Sequence, residues 1–280
     1  MSLKLMYITN NPDVAQIAQS CGVDRLFVDM EYIGKEERQG GLDTVKSHHT
    51  VEDVKKLRKV LDKTELLVRV NPIHEAGENW CSSEEEINAV VEAGADIIML
   101  PMAKTVDEIK KFVKYVGGRT KTMLLLETAE AKENIKEMLD VGGLDMVHIG
   151  LNDLHLAYKK KFMFQLLTDG TVENLIKIIS SYGIPYGFGG IARIGFGMLP
   201  AEYVIAEHYR LGSSMAILSR SFCDIYKMDD ISEIERLFKQ EMVRIRDYEK
   251  ELELKDKEFF LENQKETSRL VDLIADKIQK

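Results

Sequence analysis

The feature that most restricts how this chain can fold is an eightfold alternation of short apolar runs with amphipathic segments. The runs occupy residues 3–9, 25–30, 65–70, 96–102, 122–128, 146–150, 185–190 and 215–219. Between them, residues 12–21, 50–62, 83–93, 105–116, 129–141, 171–182 and 199–211 carry helical patterning. Nearly continuous apolar runs suit parallel strands that are covered on both faces. Eight such units within roughly 220 residues point to a closed (β/α)8 TIM barrel. The whole chain has 280 residues, enough for a barrel of about 250 residues with an extension. The competing architecture is an open doubly wound sheet, but no Gly-x-Gly-x-x-Gly follows the first run.

Punctuation agrees with this parse. Thr50 with Asp53, Ser82 with Glu85, and Thr105 with Glu108 have the spacing of capping boxes, in which a hydroxyl and a carboxylate serve each other's backbone N–H groups. Gly22, Gly94, Gly183 and Gly212 fall just past helix ends, where a left-handed cap is least costly without a Cβ. Residues 31–49 and 151–170 are the long connections, the second carrying Lys159, Lys160 and Lys161. In a barrel both would lie on the catalytic face.

From Asp229 onward the composition changes: 15 Asp/Glu and 11 Lys/Arg make half of residues 229–280 charged. Phe238, Ile245, Leu252 and Phe259 recur every seven residues, but Glu241 and Lys255 interrupt a coiled-coil seam. We therefore expect a barrel core over 1–228. Residues 229–280 are expected to supply the eighth helix and a C-terminal helical extension that packs on a neighbouring subunit as an oligomerisation element. The net charge of −9 argues against nucleic acid as the main partner. Cys21, Cys81 and Cys223 are far apart and lack metal-site spacing. No run approaches a membrane span, and the N-terminus lacks a signal-like apolar stretch. A cytoplasmic protein is expected.

Barrel chemistry sits where strands end. The residues there are Thr9 and Asn10, Asp29 and Glu31, Arg69 and Asn71, Pro101 and Met102, Glu127, then Gly150, Asn152 and Asp153, Gly189 and Gly190, and Ser219 and Arg220. Glu127 follows an unbroken apolar strand, and a buried carboxylate there needs a partner. Asp153 lies just beyond the adjacent strand, so both carboxylates can converge on Mg²⁺ or Mn²⁺. The competing readings are a Glu127–Arg69 ion pair and an Asp153 helix cap. Arg69, embedded among strand residues, must meet anions: a substrate oxygen, or Asp29 or Glu127. His48 and His49 offer a base or simply flank a helix; His148, mid-strand, reads as packed inside the barrel. The glycine-rich stretch 187–197 is either a phosphate cradle or a tight packing turn.

These segments resemble the HpcH/HpaI aldolase and citrate lyase family of the phosphoenolpyruvate/pyruvate barrel superfamily, over roughly residues 12–222. Val23–Glu31 is similar to the family's second-strand segment and Val68-Arg69-Val70 to its arginine strand. Ala93–Met102 is similar to “AGA…VPM”, Leu126–Ala131 to “IET…A”, and Ile149–Leu154 to “IGPxDL”. The resemblance implies a divalent-metal-dependent carbon–carbon lyase of class II aldolase type. Its substrate would be a 2-oxo acid such as pyruvate or oxaloacetate, reacting through an enolate, with an aldehyde as the further partner. Glu127 and Asp153 would hold Mg²⁺ or Mn²⁺, Arg69 would stabilise the enolate oxygen, and Asp29 would orient a proton-transfer group. Gly150, Asn152, Gly189 and Gly190 complete the candidate substrate-binding set. A trimer or hexamer is implied. One departure is Tyr32, where the family's aldolases carry His; with a reference pKa near 10 it is a poor base at neutral pH, and His48 or His49 is the candidate replacement. The alternatives are a phosphoenolpyruvate-utilising or acyl-CoA thioester lyase or transferase of the same superfamily, and a non-catalytic metabolite-binding barrel.

Overall fold

A computed structural model describes residues 2–34, 49–219, 222–224, 228 and 230–278. Its eight strands are β1 (Lys4–Ile8), β2 (Arg25–Asp29), β3 (Glu65–Arg69), β4 (Ile97–Leu100), β5 (Lys121–Leu126), β6 (Met146–Ile149), β7 (Tyr186–Ile191) and β8 (Met215–Leu218). All neighbours pair parallel, and β8 closes on β1, which makes a (β/α)8 barrel. Every strand coincides with an apolar run of the sequence, because each is buried on both faces.

The helices are α1 (Pro12–Ser20), α2 (Val51–Val60), α3 (Ser83–Glu92), α4 (Val106–Val116), α5 (Ala129–Glu133), α6 (Ile135–Asp140), α7 (Leu151–Ala157), α8 (Gln165–Thr168), α9 (Thr171–Ser181), α10 (Ala201–Arg210), α11 (Ile231–Leu252) and α12 (Lys257–Lys277). Capping boxes open α2, α3 and α4 at the three expected sites. Residues 129–141, expected as one helix, are divided at Asn134, which closes α5 and opens α6.

Two apolar regions hold the barrel. Met6, Phe27, Leu67, Ile97, Met99, Met123, Leu125, Met146 and Met215 fill its interior. The larger cluster lies between strands and helices. Below the interior, Arg25 pairs with Glu65 at 2.9 Å, and Glu65 with Lys121 at 2.6 Å. The barrel is thus plugged from below, leaving the strand C-termini as the reachable end.

Helix α11 is the eighth barrel helix. Phe238, Ile245 and Leu252, three of the heptad positions, face inward with Ile234 and Met242, and the helix packs on α1. Helix α12 then folds back. Within one chain it covers α10 and α8 of its own barrel. Val271 and Ala275 are buried there, and Asn263 donates to buried Glu207 at 3.1 Å. No helix among the described residues is long and apolar enough to cross a membrane.

Candidate active site at the strand C-termini

Strand β2 ends in Asp29 and β3 in Arg69, paired in register. Side chains of matched residues on adjacent parallel strands share a face. Arg69 therefore meets Asp29 in a two-pronged bridge: Nε donates to Oδ1 and Nη2 to Oδ2, both at 2.8 Å. Nη1 also lies 3.4 Å from Glu31 Oε2, and the guanidinium sits over the Phe27 ring at 5.6 Å. Burial alone would weaken its charge, but Asp29 and Glu31 outweigh burial and hold the guanidinium protonated. Of the two anions considered for Arg69, the direct partner is Asp29; Glu127 acts on it through space.

Glu127 follows β5 directly and is buried. Its Oε1 accepts the Met102 N–H at 3.1 Å. Met102 has φ +53°, the left-handed region that non-glycine residues rarely adopt. Such strain survives where surrounding structure imposes it, commonly around functional groups. Burial pushes the Glu127 carboxyl well up, and the charges of Glu31 and then Asp153 push it further, with Arg69 opposing. Gly150, across the β5–β6 seam, makes room: a Cβ there would lie 2.8 Å from Glu127 Cβ and 2.9 Å from its Oε2.

Asp153 is not the cap of its helix. The chain turns into α7 directly after β6, so Gly150 takes the N-cap position with no side-chain cap, and Asp153 falls in the first turn. Its charge is felt at Glu127. Asn152, beside it, is exposed. Gly189 and Gly190 lie in β7, where the register with β8 shifts between Gly187 and Gly190. The Gly189 carbonyl accepts from His148 Nε2 at 3.1 Å. His148 is packed inside the barrel as expected, and burial lowers its pKa to about 4.

His49 is buried, and its Nδ1 accepts the Asp29 N–H at 3.0 Å. Strand β1 has ended at that level, so the ring takes the place of the next ladder partner. His48 and Arg220 lie outside the described residues. Tyr32 is half-exposed; burial, Glu86 and Cys81 raise its phenol pKa.

Thus Asp29, Arg69, Glu127, Asp153, Gly150 and His49 gather at the mouth, with Glu31 at 3.4 Å from Arg69 and its charge felt at Glu127. Glu31, Asn71 and Met102 stand at strand ends in the sequence without an evident role there, and Glu86 lies on α3, away from any strand end. The signal for Glu86 was its place on the buried face of an otherwise acidic first turn. Among the described residues, no three or more His, Cys, Asp or Glu groups form a ready metal cage. Two carboxylates, with water and substrate in the remaining positions, is the habit of Mg²⁺.

The sequence model of the HpcH/HpaI aldolase/citrate lyase family matches residues 4–165. A search of curated proteins finds no match. Among solved structures, an HpcH/HpaI aldolase from Desulfitobacterium hafniense DCB-2 is similar with a TM-score of 0.60 at 15% identity, covering 84% of this chain and 93% of that one. An HpcH/HpaI aldolase/citrate lyase family protein from Burkholderia cenocepacia J2315 gives 0.61 at 14%, covering 87% and 94%. The citrate synthase SbnG gives 0.59 at 17%, covering 81% and 89%. At these identities the structural likenesses speak for the fold.

Proposed function

This chain belongs to the HpcH/HpaI aldolase/citrate lyase family, and from that premise we propose that it is a divalent-metal-dependent carbon–carbon lyase acting on a 2-oxo acid. The observation that carries this reading is the charge balance of the mouth. Among the described residues, Asp29 and Glu31 meet Arg69, while Glu127 is buried and feels the charges of Glu31 and Asp153. A buried carboxylate such as Glu127, pushed up by burial and by neighbouring carboxylates, is costly to ionise unless a cation stands beside it. Hard oxygen donors fit Mg²⁺ or Mn²⁺, and Glu127 and Asp153 are the residues that would hold the ion. When bound, it supplies Lewis acidity toward the oxygens of a 2-oxo acid.

The chain's own residues do the rest. The Met102 N–H and the absence of a Cβ at Gly150 fix where the Glu127 carboxylate points. Asp29 holds the Arg69 fork, so a permanent positive charge stands ready where enolate charge develops. Because that orientation exists before substrate arrives, no reorganisation is needed during the reaction. The apolar interior below, ending at Phe27 and Leu125, keeps water from the floor of the site. An aldehyde is the second substrate in this reading. Tyr32, half-exposed where the family's aldolases carry His, favours a second reading as a thioester lyase or transferase of the same superfamily.

The test is loss of pyruvate methyl protons in D₂O, followed by NMR with Mg²⁺ or Mn²⁺ and with EDTA. Exchange that needs metal and disappears in Glu127→Gln is expected. No exchange with either metal would overturn the pyruvate-type reading and direct the work to acyl-CoA thioesters and phosphoenolpyruvate.

A further inference from the structure

Asn71 is the second residue after β3 and is 2% exposed; Glu86, on α3 outside the barrel, is 6% exposed. A carboxylate so buried needs donors, and Asn71 supplies them. The Asn71 Nδ2 group donates to Glu86 Oε1 at 2.7 Å, and the Asn71 backbone N–H donates to Oε2 at 3.1 Å. This fixes which way the Asn71 amide faces. Its Oδ1 is turned the other way, where it accepts two successive backbone N–H groups, Tyr32 and Ile33, each at 3.0 Å. A flipped amide would set N–H against N–H on one side and oxygen against carboxylate on the other.

Those two N–H groups belong to the turn that follows β2. The same short segment carries Asp29 and Glu31, the anions that meet Arg69. Met30 N–H is already tied to the Arg69 carbonyl at 2.9 Å, and Glu31 N–H to Asp29 Oδ1 at 3.2 Å. Beyond Glu31 the turn is held from outside by Asn71. We propose that Asn71 and Glu86 are positioning residues that clamp the turn after β2, so that Glu31 stays beside Arg69. The proposal rests on the lyase reading only for its catalytic consequence.

The hydrogen-bond polarity gives a reciprocal test. Asn71→Asp sets a second carboxylate against Glu86, and their repulsion drives the residue 71 side chain away from the Tyr32 and Ile33 N–H groups it could otherwise still accept. Glu86→Gln presents an amide N–H to the Asn71 donors. In the double variant N71D/E86Q every contact is restored: residue 86 donates to the residue 71 carboxylate and accepts the residue 71 backbone N–H. Amide hydrogen exchange of Tyr32 and Ile33 and the rate of pyruvate proton exchange are measured for wild type, both single variants and the double. Protected amides in wild type are expected. N71D should lose that protection and about tenfold or more in kcat with little change in KM, and the double should recover both to within about threefold.

Unprotected Tyr32 and Ile33 amides in wild type would overturn the clamp without any variant, as would amides still protected in N71D. Failure of the double to recover would also overturn it, as would full activity with unprotected amides. A wild type that exchanges no pyruvate protons would instead sink the lyase reading, leaving the amide-exchange cycle to decide the clamp.

Discussion

Gly150→Ala puts the site geometry at risk through one methyl group. The backbone at Gly150 has φ −81° and ψ 91°, which alanine tolerates, so the effect is steric. The new Cβ would stand 2.8 Å from Glu127 Cβ, 2.9 Å from Oε2 and 3.2 Å from Leu125 Cδ1. Carbon atoms rest about 3.5–4.0 Å apart, so Glu127 must retreat by about 0.7 Å. Overpacking of this kind costs about 1–3 kcal/mol. The reduced freedom of the unfolded chain returns about 0.4–1 kcal/mol. The net loss of stability is then about 0–2.6 kcal/mol, read by urea unfolding. The functional loss should be larger in proportion, because a misplacement of about 1 Å can cost about a hundredfold in rate. Pyruvate proton exchange should fall about 30–100-fold. Mn²⁺ affinity, measured by EPR titration, should fall about tenfold. A G150A protein that folds, binds Mn²⁺ as wild type does and exchanges protons within about threefold of it would refute the claim that this seam places the Glu127 carboxylate.

Three other perturbations test different links. Arg69→Lys keeps the charge but cannot reproduce the fork on Asp29; exchange kcat should drop about 10²–10³-fold with the circular dichroism spectrum unchanged. His148 and His208 are buried neutral, with pKa values lowered by burial to about 4 and about 3, so the unfolded chain takes up their protons first as pH falls below about 6.5. Their contribution is therefore complete above that pH and is lost from there down to about 4 for His148 and about 3 for His208. Glu86 and Glu127, raised by burial, take protons in the folded state and offset part of this. The clean readout is the difference: His208→Leu should flatten the stability–pH slope near pH 5 by about one proton, or about 1.4 kcal/mol per pH unit, and parallel curves would count against it. Val271→Asp places a charge in the buried seam under α12 and should cost about 3 kcal/mol or more, whereas Leu254→Asp, at 87% exposure, should stay within about 0.5 kcal/mol; equal midpoints in urea would mean α12 is not part of the fold's stability.

The barrel was legible because burial on both faces writes itself into the sequence as uninterrupted apolar runs. Each strand lies within two residues of its run, and the three capping boxes are local patterns that tertiary structure had no reason to override. Legibility ended where side chains from different elements meet. Asp153 has the chemistry of a cap, and only the immediate turn from β6 into α7 shows that Gly150 holds that position. Met102 looks like an ordinary apolar strand end until its left-handed φ and its bond to Glu127 are seen together. Glu86 hides in a run of three glutamates, where only the angular position around α3 separates the buried one from its neighbours. The heptad of Phe238, Ile245 and Leu252 was visible as a pattern and lies on the inward face of α11, whereas Val271 and Ala275, buried on α12, belonged to no such repeat.

The departure at Tyr32 leaves the question of which group moves a proton, and the structure narrows the part His49 can play. The Asp29 N–H points at Nδ1, so Nδ1 is an acceptor and the neutral ring carries its proton on Nε2. To serve as a base, His49 would have to form the imidazolium, which needs a proton on Nδ1 and therefore the loss of the Asp29 contact. That contact supports the residue that grips Arg69, so gaining a base would loosen the guanidinium. His49 is better suited to anchor the end of β2. Asparagine separates the two roles, because its Oδ1 can stand in for Nδ1 while the Nε2 position disappears. His49→Asn should keep pyruvate proton exchange within about threefold of wild type, whereas His49→Ala, which orphans the buried Asp29 N–H, should lose about tenfold or more. If H49N were as impaired as H49A while Asp29 and Arg69 remained paired, the Nε2 proton would be what matters, and His49 would belong with the groups that meet substrate. If the expected pattern holds, carboxylates are the proton acceptors left at the mouth among the described residues, with Glu31 Oε2 at 3.4 Å from Arg69 Nη1.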